Sequence, residues 1–183
     1  MQDLVELARQ GDRDAFASIA HGSVDRMFAV ARRILQDHDR AQDAVQSALL
    51  GAWRDLPSLR DPSRFQQWLH RLLVRACYEE ARKQRAFSAN VRVISHEPAQ
   101  PDSSGWLADR DQLERGFRRL SVEQRAVVVL HFYVGLGLTE VSEVLAIPEG
   151  TVRSRLHYAL RALRATRDGT DRRRLRGRLG SEQ

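Results

Sequence analysis

Apolar residues recur along the chain at three- and four-residue steps, and no sustained apolar–polar alternation interrupts them, so the pattern predicts an all-helical protein. The signal begins at DLVELARQ and resumes at DRDAFASIAHGSVDRMFAVARRILQ, where Phe16, Ile19, Ala20, Val24, Met27, Phe28, Ala31 and Leu35 keep the spacing of two or three short helices. Asp39 followed by Gln42 fits a capping box and opens a helix through DRAQDAVQSALLGAWRDL, which Pro57 closes. Asp61 before Pro62 is a second start signal, since the missing N–H of a first-turn proline would have been unpaired anyway. Beyond it Phe65, Trp68, Leu69, Leu72, Leu73 and Ala76 mark one buried face, while Arg71, Arg75, Tyr78, Arg82 and Arg85 fall on another.

The period stops at FSANVRVISHEPAQPDSSG, a stretch with two prolines and several small polar residues that reads as a flexible linker. It returns at WLADRDQLERGFRRL. Ser121 with Gln124 then offers another capping box ahead of AVVVLHFYV, and Gly135 and Gly137 break the chain. The expected organisation is two small helical domains: a first over 1–86, a linker over 87–108, a second over 109–166, and a basic, disordered tail over 167–183.

In the second half, Leu138, Val141, Val144 and Leu145 make the inner side of a short helix, Ala146 and Ile147 a turn, and Pro148 the head of a new helix. That helix buries Val152, Leu156, Ala159, Leu160 and Leu163 and leaves Arg153, Ser154, His157, Arg161 and Arg164 on its other side. This is the pattern of a helix-turn-helix, whose second helix enters the DNA major groove and presents residues near its N-terminus to base edges. Arg153 is then the leading reader, and one bidentate arginine–guanine contact discriminates against a wrong base by about 1–3 kcal/mol. An amphipathic helix pair with merely solvated arginines would share the pattern.

Composition narrows the choice. The net charge is +6, yet the first sixty residues carry a slight acidic excess, so the basic charge lies further along. Of the 30 basic residues only Lys83 is a lysine, and arginine suits bidentate contacts with phosphate and guanine. The lone Cys77 excludes an internal disulfide and is expected to be a buried small apolar residue. The six histidines lack metal-ligand spacing, and neither an HExxH, a phosphate-cradling glycine loop nor a nucleophile motif is present. No enzyme, metal or cofactor is therefore expected. The longest strongly apolar run, from Ala126 to Leu130, is too short to span a bilayer, and MQDLVELARQGDRD lacks the order of a signal peptide, so a cytoplasmic protein is expected.

LSVEQRAVVVLHFYVGLGLTEVSEVLAIPEGTVRSRLHYALRALR resembles the fourth region of bacterial RNA polymerase sigma factors of the extracytoplasmic-function (ECF) type along its whole length. DRAQDAVQSALLGAW resembles the core-polymerase-binding helix of that family, and FQQWLHRLLVRACYEEARK its promoter-melting and upstream-reading helix. The resemblance implies a promoter-specificity subunit that binds core RNA polymerase through Asp39, Asp43, Gln46 and Trp53. It implies contacts of Arg71, Arg75, Tyr78 and Arg82 with the minus-ten element. At the minus-thirty-five element it implies Arg153, Ser154 and His157, with Thr151, Arg155 and Tyr158 beside them. An anti-sigma protein is the further partner it implies. Departures from the family pattern stand at Gln42 and Ser47, where acids are common, and at Arg75, often an asparagine. Others are Tyr158, often an arginine, and Gly137, at the usual serine cap. The alternative is a helix-turn-helix regulator that acts without polymerase; it has no need of the Asp39–Trp53 and Phe65–Arg85 helices.

Overall fold

A computed structural model describes the backbone of residues 1–90 and 113–179 and the side chains of 1–87 and 113–166, and every regular element in it is helical. Helix α1 covers Gln2–Arg9, and Gly11, at φ 98°, turns the chain into α2, Arg13–Leu35. The Asp12 carboxylate caps α2 by accepting from the N–H groups of Asp14 (2.9 Å) and Ala15 (3.0 Å). All 23 residues of α2 form one helix, which passes unbroken through Gly22 and Ser23.

Gln36 ends α2 in the left-handed region, with its N–H donating to Arg32 O, and α3 follows over His38–Asp55. Its cap is Asp37 rather than the expected Asp39. The extended backbone at Asp37 brings its carboxylate to the Arg40 N–H at 3.1 Å, so Asp39 and Gln42 lie inside the helix. The cap at Asp61 is as expected: its carboxylate accepts from the Ser63 N–H and hydroxyl, opening a 3-10 turn that leads into α4, Phe65–Asn90. Helix α4 thus runs past position 87, where the linker was expected to start; the rest of that stretch, 91–112, lies outside the described residues, as does 180–183.

The first bundle packs α2, α3 and α4 around Ile19, Met27, Val30, Ile34, Phe65, Leu69 and Leu73. Helix α3 contributes Ala41, Ala44, Ala48 and Ala52, all buried, a ridge of small residues that lets its neighbours approach closely. Truncating Leu73 or Ile34, both fully buried, would cost about 2–5 kcal/mol. Cys77 is buried in the same core, and burial pushes its thiol up to about 12.

The second half begins with a helical segment, α5, over 113–119. The Ser121–Gln124 capping box is present with both hydrogen bonds and opens α6, Val122–Val128. This helix widens into a π turn, Val129–Val134, which Gly135 ends at φ 89°. Helix α7 is Leu138–Leu145; at its head Glu140 accepts from the Gly137 N–H, half of a capping box, because glycine has no side chain to return the bond. Ala146, at φ 52°, makes the turn into α8, Glu149–Leu179. The α8 backbone is helical into the stretch 167–183 that the sequence sets apart as a tail. Helices α5 and α8 meet closely at Gly116, where a β-carbon would lie 2.8 Å from Leu163 Cδ2 and the leucine would have to turn aside.

Candidate functional site

Helices α7 and α8 form the expected helix-turn-helix. Val141, Val144, Val152 and Ala159 are buried, with Leu145, Ile147 and Leu156 packed around them. The outer side of α8 exposes Arg153, Ser154, His157 and Tyr158, the last 59 % exposed, and Arg161 and Arg164 extend the strip. His157 and Tyr158 meet edge to face at 5.6 Å. An exposed row of guanidinium, hydroxyl, imidazole and phenol groups near the N-terminal end of a helix can address both base edges and phosphates. Thr151 and Arg155 do not belong to this row. Both are half-buried, and the positive charge of Arg155 is felt by Tyr78 and Glu123, which places it on the inner side of α8.

The α4 face is more mixed. Arg71, Arg75 and Arg82 are exposed along it, but Arg71 Nη2 donates to Glu143 O on α7 at 2.9 Å and Arg75 lies 3.5 Å from Glu79. Tyr78 is half-buried, its hydroxyl meets no hydrogen-bond partner among the described residues, and burial pushes its pKa up to about 12. Arg75, Tyr78, Arg82 and Arg85 line a cleft of about 380 Å³ opposite Glu123 of α6. Burial alone would raise the Glu123 carboxyl, but hydrogen bonding to Ser121 and to backbone, with Arg85 and Arg155 close by, holds it below its ordinary value.

This face is partly covered because the two halves pack on each other, and one apolar core runs through both. Arg64 Nη2 and Gln67 Nε2 each donate to Glu143 Oε2 at 2.7 Å. The Arg33 guanidinium stands 3.8 Å over the Tyr133 ring, a cation–π contact. Arg125 of α6 donates through Nε to Ile34 O at the end of α2 and through Nη1 to Leu120 O, and burial pushes its guanidinium down from its ordinary value. Glu143 and Arg125 carry no local signal for this role, because neither pattern nor motif reports a contact between residues some 70 to 90 positions apart.

On α3, Asp39, Asp43, Gln46 and Trp53 all lie exposed on one face, at steps of four, three and seven residues. Leu50 fills the gap in this series. It is 64 % exposed, was not among the expected residues, and could have been found by continuing the same spacing. Trp53, 38 % exposed, rests edge-on against Phe16 at 4.9 Å, so its ring is held while one side stays open. The face therefore runs from acidic to apolar along the helix. Among the described residues no cluster of His, Cys, Asp and Glu is arranged for a metal, and no helix is long and apolar enough to cross a membrane.

Comparison with known proteins bears on these surfaces. The sigma-70 region 2 family matches residues 22–87, and the sigma-70, region 4 family matches residues 116–165. The chain is 33 % identical over 144 residues to the ECF RNA polymerase sigma factor SigL of Mycobacterium tuberculosis, covering 76 % of this chain and 81 % of that one. It is 27 % identical over 173 residues to the ECF RNA polymerase sigma factor SigW of Bacillus subtilis, covering 87 % and 92 %. Among solved structures, CnrH in complex with the cytosolic domain of CnrY is similar with a TM-score of 0.67 at 22 % identity, over 92 % of this chain and 97 % of that one. The sigma factor RpoE in complex with the anti-sigma factor NepR from Bartonella quintana is similar with a TM-score of 0.64 at 23 % identity, over 84 % and 96 %. The two structural likenesses establish the fold.

Proposed function

The chain belongs to the ECF group of RNA polymerase sigma factors, and from that membership we propose how its surfaces divide the work of a factor that binds core RNA polymerase and directs promoter-specific initiation. The α8 row of Arg153, Ser154, His157 and Tyr158 reads the minus-thirty-five element. The α4 arginines, with Arg75 and Arg82 open and Arg71 bonded to α7, engage the minus-ten element. The α3 face of Asp39, Asp43, Gln46, Leu50 and Trp53 docks on core polymerase, its acidic part steering and its apolar part supplying buried area. The protein does no catalysis of its own and works in the cytoplasm, where polymerase is. An anti-sigma protein is its regulatory partner, as for the relative solved with NepR.

One observation supports this reading: α8 buries Val152 and Ala159 while leaving Arg153, Ser154, His157 and Tyr158 exposed in a single row on the second helix of a helix-turn-helix. The regulator that needs no polymerase is not favoured, because the region 2 match spans α3 and α4, for which such a protein has no use. The paired arrangement has a consequence for α4. Arg71 spends one N–H on Glu143 O, which ties its guanidinium to α7, so moving freely onto DNA means giving up that bond between the halves. Arg153→Ala tests the assignment. Promoter-driven transcription should fall while affinity for core polymerase stays unchanged; equal loss of both, or of neither, would refute it.

A further inference from the structure

Arg153 is not left to sample rotamers freely. Its Nε and Nη2 both donate to Glu149 Oε1, at 3.1 and 2.6 Å, one turn back on α8. The other oxygen of the same carboxylate, Oε2, accepts from the Thr139 hydroxyl at 2.9 Å, and Thr139 belongs to α7. An i,i+4 ion pair on an exposed helix is by itself worth only a few tenths of a kcal/mol. The third contact changes its meaning, because it comes from the neighbouring helix and fixes the carboxylate across the turn that joins the two. These bonds also hold the Glu149 carboxyl below its ordinary value, Arg153 first and Thr139 second.

A guanidinium carries five N–H donors. Two are used on Glu149, so three remain, and the plane that carries them is set by a carboxylate that is itself braced. An arginine that reads a guanine needs two donors aimed together, and each free rotamer lost beforehand is entropy not lost on binding. Glu149 also carries a cost, since a carboxylate in the first turn of a groove-reading helix repels DNA phosphates. A residue that weakens general affinity while ordering the reader has a use only in specificity.

We propose that Glu149 and Thr139 are positioning residues for Arg153, trading general DNA affinity for base discrimination at the single base pair that Arg153 reads. The proposal rests on the reading of α8 as the minus-thirty-five helix and assigns to two further residues a role within it.

The test uses holoenzyme assembled from the full chain and core polymerase, on a promoter library randomised through the minus-thirty-five element, with occupancy of each sequence counted. Arg153→Ala should flatten preference at one base pair, by about 5-fold or more. Glu149→Ala should flatten the same base pair by about 2-fold while binding to non-promoter duplex rises. Thr139→Val, which keeps shape and removes the hydroxyl, should flatten that pair alone, and Thr139→Ser should restore it. A simple folding role for Glu149 would instead lower both kinds of binding. Loss of preference with Glu149→Ala but none with Thr139→Val would show that the carboxylate acts without a brace from α7, and would overturn the proposal. An unchanged profile for Glu149→Ala beside a flattened one for Arg153→Ala would overturn it too, leaving the α8 reading intact. A flat response to Arg153→Ala would remove that reading and the proposal together.

Discussion

Replacing Arg125 by alanine should loosen the pairing of the two halves by an amount the structure lets one estimate. Its guanidinium crosses from α6 to the C-terminal end of α2, where the Ile34 carbonyl is among those with no partner within the helix. A cation there also meets the negative end of the helix dipole. A hydrogen bond from a charged donor is worth about 1.5–3 kcal/mol where water is excluded. Arg125 is only partly buried, so about half of that applies, roughly 0.7–1.5 kcal/mol, a shift of roughly 3- to 12-fold in the pairing equilibrium. The assay is energy transfer between dyes on Ala17→Cys and Ala165→Cys, both exposed sites, one in each half. The native Cys77, buried and with its thiol pushed up to about 12, stays unlabelled at neutral pH. In a urea titration, transfer should be lost at a lower midpoint in Arg125→Ala than in the parent, while the loss of helicity moves less. An unchanged transfer midpoint would refute the estimate. Equal shifts in transfer and helicity would show that Arg125 acts within one half and not between the two.

Two further outcomes follow from the same geometry. Ala146→Gly should raise the melting temperature of the second half by a few degrees, worth about 0.5–1 kcal/mol, because the left-handed conformation at φ 52° costs alanine more than glycine; a lower melting point would contradict it. His70 is buried, its Nδ1 has no partner among the described residues, and burial first, then Arg26, push its pKa below the ordinary value. The unfolded chain then binds the extra proton, so stability from neutral His70 is present above about pH 6.5 and fades as pH falls below it. His70→Leu should remove that part of the slope in urea midpoints measured between about pH 5 and 7, and an unaltered slope would rule the residue out.

The helices and the helix-turn-helix were legible because each rests on a local rule. Asp61 before Pro62, Ser121 before Gln124, and the spacing of Val141, Val144 and Val152 all act within a few residues. The cap of α3 was misplaced by two residues because Asp37 and Asp39 are equally good acceptors in sequence, and only the left-handed turn at Gln36 decides between them. Exposure of Arg153, Ser154 and His157 followed from the helical period, whereas the inward tilt of Arg155 did not, since it depends on where α4 lies. Helical spacing alone sets Arg71, Arg75, Tyr78, Arg82 and Arg85 on one face of α4. Arg71 and Tyr78 are instead drawn into the contact between the halves, which long-range packing creates and local sequence does not encode.

The central claim is that docking on polymerase and reading of the promoter reside on separate faces, α3 and α8. The most direct measurement follows core-polymerase affinity and start-site-specific transcription in parallel, using the same preparations of Leu50→Asp and Arg153→Ala. Leu50 is exposed, so an aspartate there spares the core of the bundle while placing a charge in the apolar part of the docking face. Leu50→Asp should lose affinity for core polymerase and transcription together, whereas Arg153→Ala should keep the affinity and lose the transcription. Full transcription with Leu50→Asp, or weakened polymerase binding with Arg153→Ala, would contradict the account.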